Sequence, residues 1–139
     1  MEPKTLHILT GPTAVGKTEL SLEWAEQYDA EIVSCDSLLF YRGMNIGTAK
    51  PRADERARVP HHLIDIHQPD SAMTIADYVA RAERSVADIV TRGKRVLVTG
   101  GSGFYLKAFF GPVVDGVTVP TALREQIEAK LTNEGLASL

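Results

Sequence analysis

Gly11-Pro12-Thr13-Ala14-Val15-Gly16-Lys17-Thr18 is a complete G-x-x-x-x-G-K-[ST] phosphate loop. In such a loop the glycines let backbone N–H groups curl around phosphate oxygens, Lys17 supplies positive charge and Thr18 offers a hydroxyl to Mg2+. Phosphate binding follows from these residue types at this spacing, whereas the identity of the phosphate compound does not. Asp36 stands directly after an apolar run and beside Ser37, which puts it at the carboxyl edge of a sheet, where open α/β folds bind ligands. Two roles fit it there, a carboxylate turned to a ligand or a cap on the next short helix. Gly100-Gly101-Ser102-Gly103 closes another apolar run. It allows either close approach of backbone and the Ser102 hydroxyl to a ligand, or a plain strand-to-helix turn.

No Asp follows Arg95 to Thr99, so the carboxylate that organises Mg2+ and water in many phosphate-loop ATPases is missing from its strand. ATP hydrolysis coupled to motion is correspondingly disfavoured. His61 and His62 lack a cysteine or a spaced histidine for a zinc site and read as structural. Cys35, inside an apolar run, reads as a small core residue rather than a nucleophile.

The elements that must position these groups are visible in the hydrophobic pattern. Thr5 to Thr10, Ala30 to Cys35 and Arg95 to Thr99 are short β-prone runs. Leu20, Trp24 and Tyr28 are spaced as on a helix, and Ile75, Val79, Ala82, Val86 and Ile89/Val90 predict a second helix over Thr74 to Arg92, stopped by Gly93. Leu123, Ile127 and Leu131 predict a third from about Thr121 to Asn133. Strands alternating with helices give an α/β class with a parallel sheet covered on its faces. Lys50 to Pro60 is the most loop-like and charged stretch, a solvated connection or a short exposed helix. With no strand after the last helix, the sheet is expected to be part of a larger unit, its apolar ends left uncovered.

Length and composition bound the remaining possibilities. The 139 residues make one domain, 1–139, of a size that buries roughly 68–70% of its unfolded surface. A hydrophobic share of 44% and a charged share of 24% exclude collagenous and disordered classes. Fifteen basic against eighteen acidic residues, a net charge of −3, argue against an all-over basic nucleic-acid or membrane binder but leave room for a local groove. The single cysteine forms no internal disulfide, which suits a reducing cytoplasm. There is neither a signal-like start nor an apolar stretch near 18 residues, so no membrane partner is expected.

With GPTAVGKT (11–18), DSLLFYRGMNIGTAKP (36–51), PHHLIDI (60–66) and TGGSGFYLKA (99–108) in this order and spacing, the chain resembles the tRNA dimethylallyltransferases, also called tRNA isopentenyltransferases, over essentially its whole length. The phosphate loop alone is generic; IGTAKP and PHHL beside it are specific. The resemblance implies an incomplete P-loop NTPase-like three-layer α/β sandwich. It further implies transfer of a dimethylallyl group from dimethylallyl diphosphate to N6 of the adenine beside the anticodon. In that reading Lys17, Thr18 and Mg2+ stabilise the departing diphosphate, Asp36 takes the N6 proton, and Ser102 contacts diphosphate and substrate. Asp36, Ser37, Leu38, Leu39, Ser102 and Arg124 lie on the tRNA side, and the complete protein is expected to act as a monomer on the anticodon arm.

Ser102 stands where the family usually has threonine, Phe104 where leucine is usual, and Asn45 where aspartate is common. Family members run to roughly twice this length, the remainder including a helical insertion that grips the anticodon arm. A small-molecule kinase of the phosphate-loop class and a non-catalytic module that binds ATP, another nucleotide or diphosphate are the competing readings. The loop alone permits both, and the GTAKP and PHHL segments speak against the kinase.

Overall fold

The computed structural model describes residues 5–71, 73–111 and 119–135. Strand β1 (Leu6–Leu9) leads through the phosphate loop into helix α1 (Lys17–Gln27), and β2 (Ala30–Ser34) is followed by a 3₁₀ turn, Ser37–Phe40. Next come α2 (Ala53–Arg58), β3 (His61–His62), α3 (Ile75–Thr91), β4 (Arg95–Thr99), the one-turn α4 (Gly103–Leu106), a second 3₁₀ turn (Lys107–Phe109) and α5 (Thr121–Glu134). The strands form one sheet in the order β1-β4-β2-β3, parallel at every described pairing.

Alternation along the strands assigns each residue to a layer, because successive side chains point to opposite faces. Ala30, Ile32 and Leu97 pack with Leu22 and Ala25 of α1, while Val33, Val96 and Val98 pack with Tyr78, Ala82 and Ile89 of α3. Helices therefore cover both faces of the sheet, the expected three-layer arrangement. Thr74 starts α3 with a capping box, its hydroxyl accepting from the Asp77 N–H at 3.1 Å while Asp77 accepts from the Thr74 N–H at 3.3 Å. The buried Tyr78 hydroxyl donates to the Ser34 carbonyl at 3.2 Å, pinning α3 beneath the end of β2.

One sequence expectation is modified and two are made definite. The sheet has a fourth strand: His61–His62 pairs with Ile32 and Val33, and two residues show no periodicity by which to read it. Lys50 to Pro60 resolves into an exposed short helix, α2, docked on α1 by bonds from Arg58 to Glu26 and Glu19. The helix over Thr121–Glu134 forms, but every residue in it is exposed, its apolar stripe included.

Glu31 lies on the α3 side of β2 and is only 2% exposed. The Arg92 guanidinium grips both carboxylate oxygens, and the His62 ring Nε2 lies 2.6 Å from Oε2. The Arg92 bonds, with His62 assisting, outweigh burial and hold the Glu31 carboxyl down at about 2. A folded-state pKa below the unfolded one contributes stability that is complete above about 4.5 and disappears as pH falls toward about 2. Glu31→Gln should therefore lower the melting temperature at neutral pH, with the gap to wild type closing through that acid window. A gap independent of pH would contradict the assignment.

Candidate functional site

The carboxyl ends of β1, β2 and β4 open on one cavity of about 410 Å³. The phosphate loop forms its first wall. Gly16, at φ +90°, adopts a left-handed conformation that opens α1, and Ala14 is also left-handed at φ +65°. The Lys17 ammonium folds back on its own loop, donating to the Gly11 carbonyl at 2.8 Å and the Pro12 carbonyl at 2.5 Å. These carbonyls hold the charge at the mouth of α1, where helix N–H groups already favour an anion. The Thr18 carbonyl accepts from Ser21 Oγ at 2.7 Å, while the Thr18 hydroxyl has no protein partner among the described residues.

Asp36 is the one carboxylate among the described lining residues. Its two sequence readings are compatible. Oδ1 accepts the Leu38 N–H at 3.0 Å and caps the 3₁₀ turn, and Oδ2 is left without a protein partner among the described residues. The Asp36 N–H donates to Ser34 Oγ at 3.3 Å, so residues on both sides fix its backbone.

Thr13, Ala14, Gly16, Lys17, Thr18, Asp36 and Leu39 are brought together around the cavity. Gly11, Pro12 and Val15 belong to the loop but not to the lining. Ser37 and Leu38 stand just outside it, Leu38 largely exposed on the 3₁₀ turn. Ser102 precedes α4 without capping it and also lies outside the lining, and Arg124 sits on the exposed α5, away from the cavity wall.

Gly100 and Gly101 line the cavity, as one of the two readings of their turn allowed, whereas Ser21, Ile32, Ser34, Ala49, Pro51, His61, Ile64 and Thr99 were not singled out as site residues by sequence. The two histidines divide. His62 supports the fold through Glu31, whereas His61 lines the cavity, its Nδ1 2.7 Å from the Val59 carbonyl. Burial pushes the His61 imidazole below its ordinary pKa, which keeps the ring neutral at physiological pH. A polar Ser34 ending an apolar strand was the one signal available for that residue. Cys35 is buried, as expected, and burial pushes its thiol up to about 12, so it is not a nucleophile.

No Asp or Glu stands at the end of β4, where Thr99, Gly100 and Gly101 line the cavity instead. Fold and cavity together define a phosphate-loop α/β protein in which, among the described residues, a single acid lines the cavity beside the loop. Residues 39–139 match the model of the IPP transferase family. A tRNA dimethylallyltransferase of Opitutus terrae is 64% identical over 124 residues, 89% of this chain and 40% of that protein. One from Geobacter metallireducens is 48% identical across 99% of this chain and 45% of its own length. The full-length tRNA isopentenylpyrophosphate transferase of Bacillus halodurans superposes with a TM-score of 0.79 at 36% identity, over 97% of this chain and 45% of that one. A eukaryotic dimethylallyltransferase acting on tRNA superposes with a TM-score of 0.81 at 27% identity, over 91% of this chain and 33% of that one.

The chain belongs to the IPP transferase family, and it spans less than half the length of these relatives. Among the described residues no helix is long and apolar enough to cross a membrane.

The close approach of two strand ends underlies the cavity. A β-carbon on Gly100 would lie 2.8 Å from the Cys35 carbonyl carbon and 2.7 Å from its Sγ, and the Cys35 N–H donates to the Thr99 carbonyl at 2.8 Å. Gly100→Ala should force β2 and β4 apart just before Asp36 and cost about 1–3 kcal/mol, the usual range for overpacking. Urea unfolding measures it, and a stability equal to wild type would show that the strand ends can yield.

Proposed function

We propose that the chain forms the donor-binding and base-activating core of a tRNA dimethylallyltransferase, which moves a dimethylallyl group from dimethylallyl diphosphate to N6 of the adenine beside the anticodon. The observation that carries the reading is a single cavity bounded by Lys17 and Thr18 on one side and Asp36 on another. A phosphate loop with one carboxylate beside it among the described lining residues suits alkyl transfer, in which carbon is attacked and the diphosphate leaves whole.

In this mechanism the diphosphate lies against the N–H groups of residues 11–18 and the α1 N-terminus, with the Lys17 ammonium on its oxygens. Such pre-aimed donors favour the leaving group most as its charge develops. The flipped adenine enters beside Asp36 and Leu39, with Ser37 and Leu38 outside them and Ser102 and Arg124 further along the tRNA path. The N6 lone pair attacks C1 of the dimethylallyl group as the C1–O bond breaks, its electrons leaving with the diphosphate. Asp36 Oδ2, unpaired while Oδ1 holds the turn, takes the proton from N6.

Mg2+ fits this donor set. Thr18 lines the cavity with a free hydroxyl, and magnesium is commonly held by few protein oxygens, with water and phosphate oxygens completing its shell. Among the described residues no group of three His, Cys, Asp or Glu side chains offers an all-protein cage. When bound, the ion would supply positive charge to the diphosphate. A tRNA acceptor fits a cytoplasmic setting.

Lys17→Ala should abolish binding of inorganic pyrophosphate to the 139-residue chain, read by calorimetry. In a chimera carrying this chain in place of the matching segment of the Opitutus terrae enzyme, Asp36→Ala should slow transfer by about 10²–10⁴. Donor affinity should stay within roughly threefold of wild type. A transfer rate within about twofold of wild type would remove Asp36 from the role of base.

A further inference from the structure

Lys50 carries its charge into the protein: its side chain is 4% exposed, and Nζ donates to Asp65 Oδ1 at 2.6 Å and to the Tyr41 carbonyl at 2.7 Å. Asp65 is a hub. Its Oδ2 accepts from Arg56 Nη1 at 2.8 Å, its carbonyl accepts from Arg42 Nε at 2.8 Å, and its N–H donates to the Leu39 carbonyl at 3.0 Å. One aspartate thus ties together the end of the 3₁₀ turn that Asp36 caps, the 44–51 loop and helix α2.

The immediate surroundings of the pair form the cavity wall. Ala49 and Pro51 flank Lys50, Ile64 precedes Asp65, and Leu39 carries the carbonyl that the Asp65 N–H meets; all four line the cavity. The backbone there is also strained. Ala49 (φ +53°), Leu63 (φ +62°) and Asp65 (φ +55°) are left-handed residues with β-carbons. Such conformations persist where the surroundings over-determine them, and they concentrate at functional sites.

An ammonium taken out of water is stable only with good partner geometry, and removing one partner strands the other. An ion pair whose ammonium is buried against a half-buried carboxylate is therefore an intolerant spacer, holding segments fifteen residues apart at one separation. None of its bonds reaches the phosphate loop, whose lysine is held by the loop's own carbonyls. What the pair fixes is the wall beside Asp36, not the diphosphate side.

We propose that the Lys50–Asp65 ion pair is a positioning unit for the acceptor base, setting the 39–51 wall relative to the phosphate loop so that N6 meets both Asp36 and the donor carbon. This rests on the function proposed above. Neither residue touches a reacting atom. Misplacement of reactants by about 1 Å can cost about 10²-fold in rate, which sets the scale of the effect.

Hydrogen exchange on the 139-residue chain tests the anchor without reference to any reaction. Lys50→Met should speed exchange of the amides in 38–42 and 47–51 while leaving 11–18 protected as in wild type. Unchanged exchange in the two wall segments would overturn the proposal. In the chimera, Lys50→Met should lower kcat by about 10²-fold or raise KM for tRNA, with KM for dimethylallyl diphosphate held within roughly threefold, and Lys50→Arg should recover part of the loss.

The double variant Lys50→Met/Asp65→Leu separates positioning from stability, since replacing both charges removes the burial penalty. Recovery of the melting temperature without recovery of kcat supports positioning. Recovery of both, or equal damage to donor and acceptor KM, overturns it. If the wild-type chimera itself transfers nothing, the function proposed above fails, and the exchange result still decides whether the pair anchors the wall.

Discussion

The contact between Gly100 and the Cys35 backbone governs how the site is assembled. With no β-carbon at Gly100, β4 and β2 end side by side, and the bond from the Cys35 N–H to the Thr99 carbonyl locks that register. The groups with chemical capacity follow strand ends. Asp36 comes directly after Cys35, Gly101 directly after Gly100, and the phosphate loop leaves β1, which pairs with β4 through Leu9 and Thr99. A parallel sheet sends all its carboxyl ends to one edge, so three short segments distant in sequence meet around one cavity.

The charges on that edge are arranged sparingly. Lys17 is parked on two loop carbonyls, Asp36 has one oxygen engaged and one without a partner among the described residues, and burial lowers the His61 pKa. Other charges serve the frame: the buried Glu31 joins β2 to the end of α3 through Arg92 and to β3 through His62, and the half-buried Asp65 joins the wall segments through Lys50, Arg56 and Arg42. In the proposed reaction this division is useful, since a leaving diphosphate needs a fixed positive site and the attacking amine needs one proton acceptor held nearby.

Local rules made much of this legible in the sequence. The phosphate loop is contiguous, so pattern and flanking elements identify it together, and the 3.6-residue period of Ile75 to Val90 gave α3 to within a residue of its ends. Other features depended on pairing across distance. The strand His61–His62 exists because Ile32 and Val33 offer it a ladder, and His61 reaches the cavity while His62 finds Glu31, a division adjacent residues do not announce. Lys50 and Asp65 look like ordinary surface charges until the fold buries one against the other. Ser102 and Arg124, carried over from the family, lie outside the cavity lining.

The most direct test of the central claim is the chemical identity of the product. Transfer RNA incubated with the chimera, dimethylallyl diphosphate and Mg2+, then digested to nucleosides and analysed by mass spectrometry, should contain adenosine bearing a dimethylallyl group on N6, with one pyrophosphate released per group transferred. A phosphorylated acceptor formed from ATP, with no N6-modified adenosine, would contradict the account and make the cavity a site of phosphoryl transfer.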